Sequence, residues 1–169
     1  MAYSSSAMGR VFEKGAAERI KGKFEEILER LGDYEALHSE FCRWLIKNVK
    51  TSKGKEPSFG EAAKVLDYML KVLVSYCHFP SVEEAGKIAL KLNGIIDNFA
   101  FSFLKKEYGG FKGVFSLVQI DKRIYLELQQ LLRREAAQEG MTPIEYDEIL
   151  WRRLVKKDNV GKKGERRRG

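Results

Sequence analysis

The stretch Ser58–His78, SFGEAAKVLDYMLKVLVSYCH, constrains the fold of this chain more than any other part of it. Phe59, Ala62, Ala63, Val65, Leu66, Met69, Leu70, Val72, Leu73, Val74 and Cys77 cover most of a helical circumference. A helix so apolar needs partners on nearly every side, so the rest of the chain must wrap it. Its start is marked by Ser58 and Glu61, a capping box in which each side chain satisfies a backbone N–H of the first turn. The polar remainder is a narrow strip at helical spacing: Glu61, Lys64, Asp67, Lys71 and Ser75.

Either side of this helix the pattern is again helical. Residues 1–7 are small and polar and read as a disordered lead. From about Met8, Phe12, Ala16, Ile20, Phe24, Ile27, Leu28 and Leu31 recur three or four apart and predict an amphipathic helix ended by Gly32. Asp33 is the expected N-cap of a second helix, with Leu37, Phe41, Trp44, Leu45 and Val49 facing inward. A loop, TSKGKEP, leads to the central helix, which Phe79-Pro80 breaks. Ser81 and Glu84 open a helix to about Leu92, with Val82, Ala85, Ile88, Ala89 and Leu92 inward. After the Asn93-Gly94 turn, Asp97 caps a helix running to Tyr108.

Val114–Ile120 suits a buried strand and a helical turn equally. A lone strand has nothing to pair with here, so an irregular or single-turn segment is expected. Asp121 caps the next helix, with Ile124, Leu128, Leu131 and Leu132 inward and Arg123, Glu127, Arg134 and Glu135 facing water, and Gly140 stops it. Thr142, Pro143 and Glu145 start a last helix through Trp151 to about Lys157. The expectation is a single all-α bundle of six to seven helices around a buried central helix (about 58–78). The helical domain spans 8–157 and a disordered basic tail 158–169.

No apolar run reaches the roughly 18 residues that a membrane-spanning helix needs. The first ten residues lack the apolar core of a secretory signal, and with two cysteines the expectation is a cytoplasmic protein with free thiols. Heavy charge, 33% of residues, combined with only eight Asn and Gln, is the tendency of thermophile proteins. The net charge of +7 is unevenly placed. Residues 152–169 hold nine basic and two acidic side chains, which leaves 22 of each sign in residues 1–151. The positive character therefore belongs to the C-terminal end.

Several chemistries have no motif here. There is no phosphate-binding glycine loop, no nucleophile elbow and no H-E-x-x-H helix, and no cofactor or metal is expected. His38 and Cys42 share a helix face, while Cys77 and His78 end the central helix; without C-x-x-C or H-x-x-x-H spacing they read as two buried thiols and two incidental histidines. Lys64, Asp67 and Lys71 read as a solvated edge with ion pairs one turn apart, the alternative being a cleft floor meeting an anion, with Asp97 facing the same cleft. Gly60 and Lys64 on one helix with a later capping Asp97 faintly resemble the helix-hairpin-helix DNA glycosylases. The resemblance covers those three residues, and the L-P-G-x-G hairpin of that family is missing. It implies an enzyme acting on DNA bases through Lys64 and Asp97.

The strongest signal lies at the C-terminus. Arg152, Arg153, Lys156 and Lys157 share a helix with Trp151, which can stack on a base, and Lys162, Lys163, Arg166, Arg167 and Arg168 form an arm suited to phosphates. The sequence therefore points first to a nucleic-acid-associated helical binding protein, DNA or RNA, without catalysis. The second reading is a helical scaffold for a protein partner, and the glycosylase-like enzyme is the third.

Overall fold

The computed structural model describes residues 12–28, 30 and 33–152. Seven α-helices form there: α1 (Ala16–Leu28), α2 (Tyr34–Asn48), α3 (Phe59–Lys71), α4 (Val82–Ala89), α5 (Asn98–Tyr108), α6 (Lys122–Gln138) and α7, followed over 143–152. Among the described residues there is no strand, only an isolated antiparallel bridge between Phe12 and Thr51. The all-α architecture is as the periodicity predicts.

The expected helix starts are built with the expected atoms. Ser58 and Glu61 make the reciprocal capping box. Ser81, Asp97 and Asp121 accept from the backbone N–H groups of Glu84, Ala100 and Ile124. Thr142 and Glu145 cap α7 reciprocally. Asp33 stands at the N-cap of α2 without a side-chain cap bond. Val114–Ile120 contains one short 3₁₀ turn, Leu117–Gln119, as expected of a segment with no strand partner. The predicted stop at Gly32, the lead and everything beyond 152 lie outside the described residues.

Helix α3 is central: it packs against α2, α6 and the 3₁₀ turn, and it continues into a π turn, Val72–Tyr76. The fit against the 3₁₀ turn depends on Gly60, whose N–H donates to Ile120 O. A Cβ there would stand 2.8 Å from both Ile120 Cβ and Leu117 O, closer than real Cβ atoms come. Gly94 does the same for the segment before α5, where a Cβ would meet Leu132 Cδ2 at 2.2 Å.

Four expectations need correcting. The helix that carries Ala16, Ile20 and Phe24 does not include Phe12: it begins at Ala16, because Gly15 takes φ +81° and Phe12 is engaged with Thr51, while Met8 lies outside the described residues. The central helix is not buried through His78. In the π turn Cys77 N–H bonds back to Val72 O, one residue further than in an α-helix, and the wider turn rotates Ser75, Tyr76, Cys77 and His78 into water. Cys77 is thus exposed, and only Cys42 is a buried thiol. Val82 is 73% exposed, since two-turn α4 packs through Ala85, Ile88 and Ala89 and leaves its first residue outside. Finally, the polar strip of α3 is not a solvated edge: Asp67 and Lys71 are 1% and 9% exposed.

Candidate functional site

Both buried charges on α3 have partners from distant parts of the chain. Lys71 Nζ lies 2.8 Å from Asp147 Oδ2 on α7. Burial pushes the Asp147 carboxyl up to about 6 against the pull of Lys71, and the charges of Asp97 and Asp67 add to the rise. One turn earlier, Asp67 sits at the centre of a hydrogen-bonded cluster. Tyr125 of α6 donates to Oδ2 at 2.6 Å and Tyr34 of α2 to Oδ1 at 3.3 Å. His38 Nε2 lies 3.2 Å from Oδ1 and 3.1 Å from the Tyr125 oxygen.

The partners assign the proton positions. A carboxylate oxygen only accepts, so Nε2 carries the proton shared with Asp67, and Nδ1 faces Cys42 Sγ at 3.8 Å. Both phenols are held well above their usual range, first by burial and then by the charge of Asp67. Each is therefore a fixed donor to that charge. Cys42, His38 and Asp67 follow the order of a thiol, imidazole and carboxylate relay. Cys42 is fully buried, however, and burial together with Asp67 raises its thiol far above the usual value, so no thiolate is presented to a substrate.

Above this cluster opens a cleft of about 440 Å³. Its floor is aromatic: Tyr34, His38, Phe59 and Tyr125, with His38 stacked on Tyr125 at 5.3 Å and Phe59 set edgewise against Tyr125 at 5.4 Å. Asn93 and Gln129 supply amides at the side. Asn93 donates to the Tyr125 oxygen, and its own oxygen accepts from Arg133. Gln129 Nε2 donates to Gly94 O at 2.7 Å, which fixes the orientation of the amide because a carbonyl cannot donate. Gln129 Oε1 is buried and receives no hydrogen bond. Lys91, Lys122 and Arg133 bring three cations to the lining against one carboxylate, Glu35.

The sequence candidates fall elsewhere. Lys64 and Asp97 do not line the cleft, Asp97 is occupied capping α5, and Gly60 serves the contact with Leu117 and Ile120. The alternative reading of Lys64, Asp67 and Lys71 as a cleft floor fails for Lys71, which is turned to Asp147. Among the described residues no three His, Cys, Asp or Glu side chains are grouped to hold a metal. Trp151 is 51% exposed on α7, and Arg152 beside it pairs with Glu148 one turn back. Arg153, Lys156, Lys157, Lys162, Lys163, Arg166, Arg167 and Arg168 lie outside the described residues.

Sequence reasoning missed the cleft. His38 and Cys42 were visible as a pair on one face, and Asp67 as a polar residue in an apolar helix. Nothing in one dimension joins these to Tyr34, Asn93, Tyr125 or Gln129, which come from other helices and a turn. No protein-family model, curated protein or solved structure matches the chain.

Proposed function

We propose that the protein binds nucleic acid through its C-terminal end, the basic residues of 152–169 neutralising phosphates while Trp151 stacks on a base. The observation that carries this reading is the position of Trp151. A half-exposed indole stands where a formally neutral body passes into a segment of net charge +7. Indole faces stack on any base, and clustered Lys and Arg release counterions from any backbone, so the expected binding is sequence-tolerant and salt-sensitive.

Fluorescence anisotropy with labelled single-stranded and duplex oligonucleotides over a salt series tests it. Removing residues 158–169 takes away Lys162, Lys163, Arg166, Arg167 and Arg168. The slope of log K against log salt should then fall by up to about 0.9 per lost phosphate contact on duplex and about 0.7 on single strands. Trp151→Ala should weaken single-stranded binding by about 1–3 kcal/mol, and duplex binding less. Unchanged affinity and slope in the truncated protein would refute the reading. In that case a protein partner becomes the better explanation. Exposed Tyr76 in the π turn and exposed Val82 and Leu90 in and just after α4 favour it, since α4 packs directly on that turn.

A further inference from the structure

Helix α4 carries an apolar stripe that its own chain leaves in water. The inner face of the helix, Ala85, Ile88 and Ala89, packs against the body, and α4 rests on the π turn. Val82 and Leu90, in contrast, are 73% and 66% exposed. Leu90 is the C-cap and keeps αR backbone, so helical spacing continues through it. Val82, Gly86 and Leu90 therefore stand four apart. Each step of four residues turns only about 40° around the axis, which sets all three on one outward strip.

Gly86 is the unexplained member of that strip. Glycine inside a helix is less stable than alanine would be. At Gly60 and Gly94 packing accounts for the residue, because a Cβ would strike a neighbour; at Gly86, among the described residues, a Cβ would meet nothing within 4 Å. Gly86 is also in ordinary helical conformation, so no positive φ calls for it. On an outward face, a missing side chain gives room for a second backbone to approach, with Val82 and Leu90 packing on either side of it.

The charges of α4 say which backbone that is. Glu83 and Glu84 lie in the first turn and Lys87 and Lys91 towards the end, all four exposed. A helix with an acidic start and a basic end is its own complement when a second copy lies antiparallel, because each acidic turn then faces a basic one and the helix dipoles oppose. Parallel pairing would set like charges together. Within one copy Lys87 already pairs with Glu83, and the second copy extends that pair into a network.

We propose that α4 is a self-association surface: two copies of this chain meet antiparallel about a two-fold axis at Gly86, Val82 of each against Leu90 of the other. Such a contact uses the same patch on both copies and closes at a dimer. Eight residues of helix are about 12 Å long, so the contact belongs to the small class of interfaces, below about 1,200 Å². The dimer is accordingly weak, with a dissociation constant on the order of 10–100 μM. It does not depend on whether the C-terminal end binds nucleic acid.

Sedimentation equilibrium of the full chain, freed of nucleic acid and run at concentrations on either side of that range, tests the proposal. The native chain should pass from monomer to dimer as concentration rises. Gly86→Gln places a good helix former in open space, so it should raise the melting temperature while weakening the dimer about tenfold or more. Val82→Ser, an exposed change, should weaken the dimer without altering the helix content seen by circular dichroism. A chain with Lys87→Glu and Lys91→Glu and another with Glu83→Lys and Glu84→Lys should each stay monomeric, and an equal mixture of the two should associate.

A native chain that stays monomeric throughout would overturn the proposal and leave the strip to a different protein. A dimer indifferent to both Gly86→Gln and Val82→Ser would overturn it as well, since the contact would then lie elsewhere. A mixture of the two charge variants that associates no better than its separate components would overturn the pairing of α4 with α4. Removal of residues 158–169 should leave the dimer unchanged, which separates this outcome from that of the C-terminal reading; loss of the dimer on that truncation would place the contact in the C-terminal end instead.

Discussion

Replacing Lys71 with Met should make the stability of this protein strongly dependent on pH. Lys71 and Asp147 side chains are each 11% exposed and 2.8 Å apart, a separation worth about 6 kcal/mol of attraction at an effective dielectric of 20. Desolvation nevertheless outweighs it, since the folded Asp147 carboxyl lies at about 6 against an ordinary value of 3.8. The folded state of the native protein thus binds the extra proton between those values. This group therefore lowers stability as pH rises from about 4 to 6, by about 1.4 kcal/mol per unit, and adds nothing further above.

In Lys71→Met the principal influence lowering the carboxyl is gone, so its titration moves higher and the decline continues past pH 6. Urea unfolding followed by far-ultraviolet circular dichroism at pH 5 and pH 8 reads this out. At pH 5, where Asp147 is largely protonated in both proteins, the variant should be within about 1 kcal/mol of the native chain. At pH 8 the deficit should have grown by about 1.4 kcal/mol for each unit by which the variant's carboxyl titrates above 6, to about 2.7 kcal/mol if it stays protonated throughout. The double variant Lys71→Met with Asp147→Leu should recover most of that loss. A deficit at pH 8 below about 1 kcal/mol, or one of equal size at pH 5, would mean that packing or water access rather than the unpaired carboxylate decides the outcome.

Three further outcomes follow from the same geometry. Gly94→Ala should destabilise by about 1–3 kcal/mol as an overpacked contact, since the new Cβ meets Leu132 and the Pro143 carbonyl; its midpoint in urea is the readout, and a neutral result would show that the turn shifts freely. Tyr125→Phe removes a donor from Asp67 at 2.6 Å and should cost about 1.5–3 kcal/mol of stability at neutral pH, whereas a loss below about 0.5 kcal/mol would mean that water replaces the phenol. Ser58→Ala removes one half of the capping box and the bond from Ser58 Oγ to Leu117 O, and should lower stability by about 1–2 kcal/mol in a thermal melt; no loss would show that neither bond contributes net stability.

Among the described residues, the local sequence determined that the elements are helices and where most of them start. Ser58 with Glu61, Asp97, Asp121 and Thr142 with Glu145 each place a side-chain acceptor within reach of a first-turn N–H, and such bonds span three residues and need no partner element. The apolar spacing likewise dictated that α3 be central, because so many apolar side chains can be covered only by other helices. Tertiary structure decided everything that depends on which helix lies beside which. Asp67 and Lys71 read as a solvated edge because polar residues at helical spacing ordinarily face water. They are buried because Tyr34, His38, Tyr125 and Asp147 arrive from α2, α6 and α7 to take their hydrogen bonds. The cleft above them exists for the same reason: its floor is closed by those same bonds, and Gln129 Oε1 beside it is left without a donor because Gly94 O takes the other half of the amide.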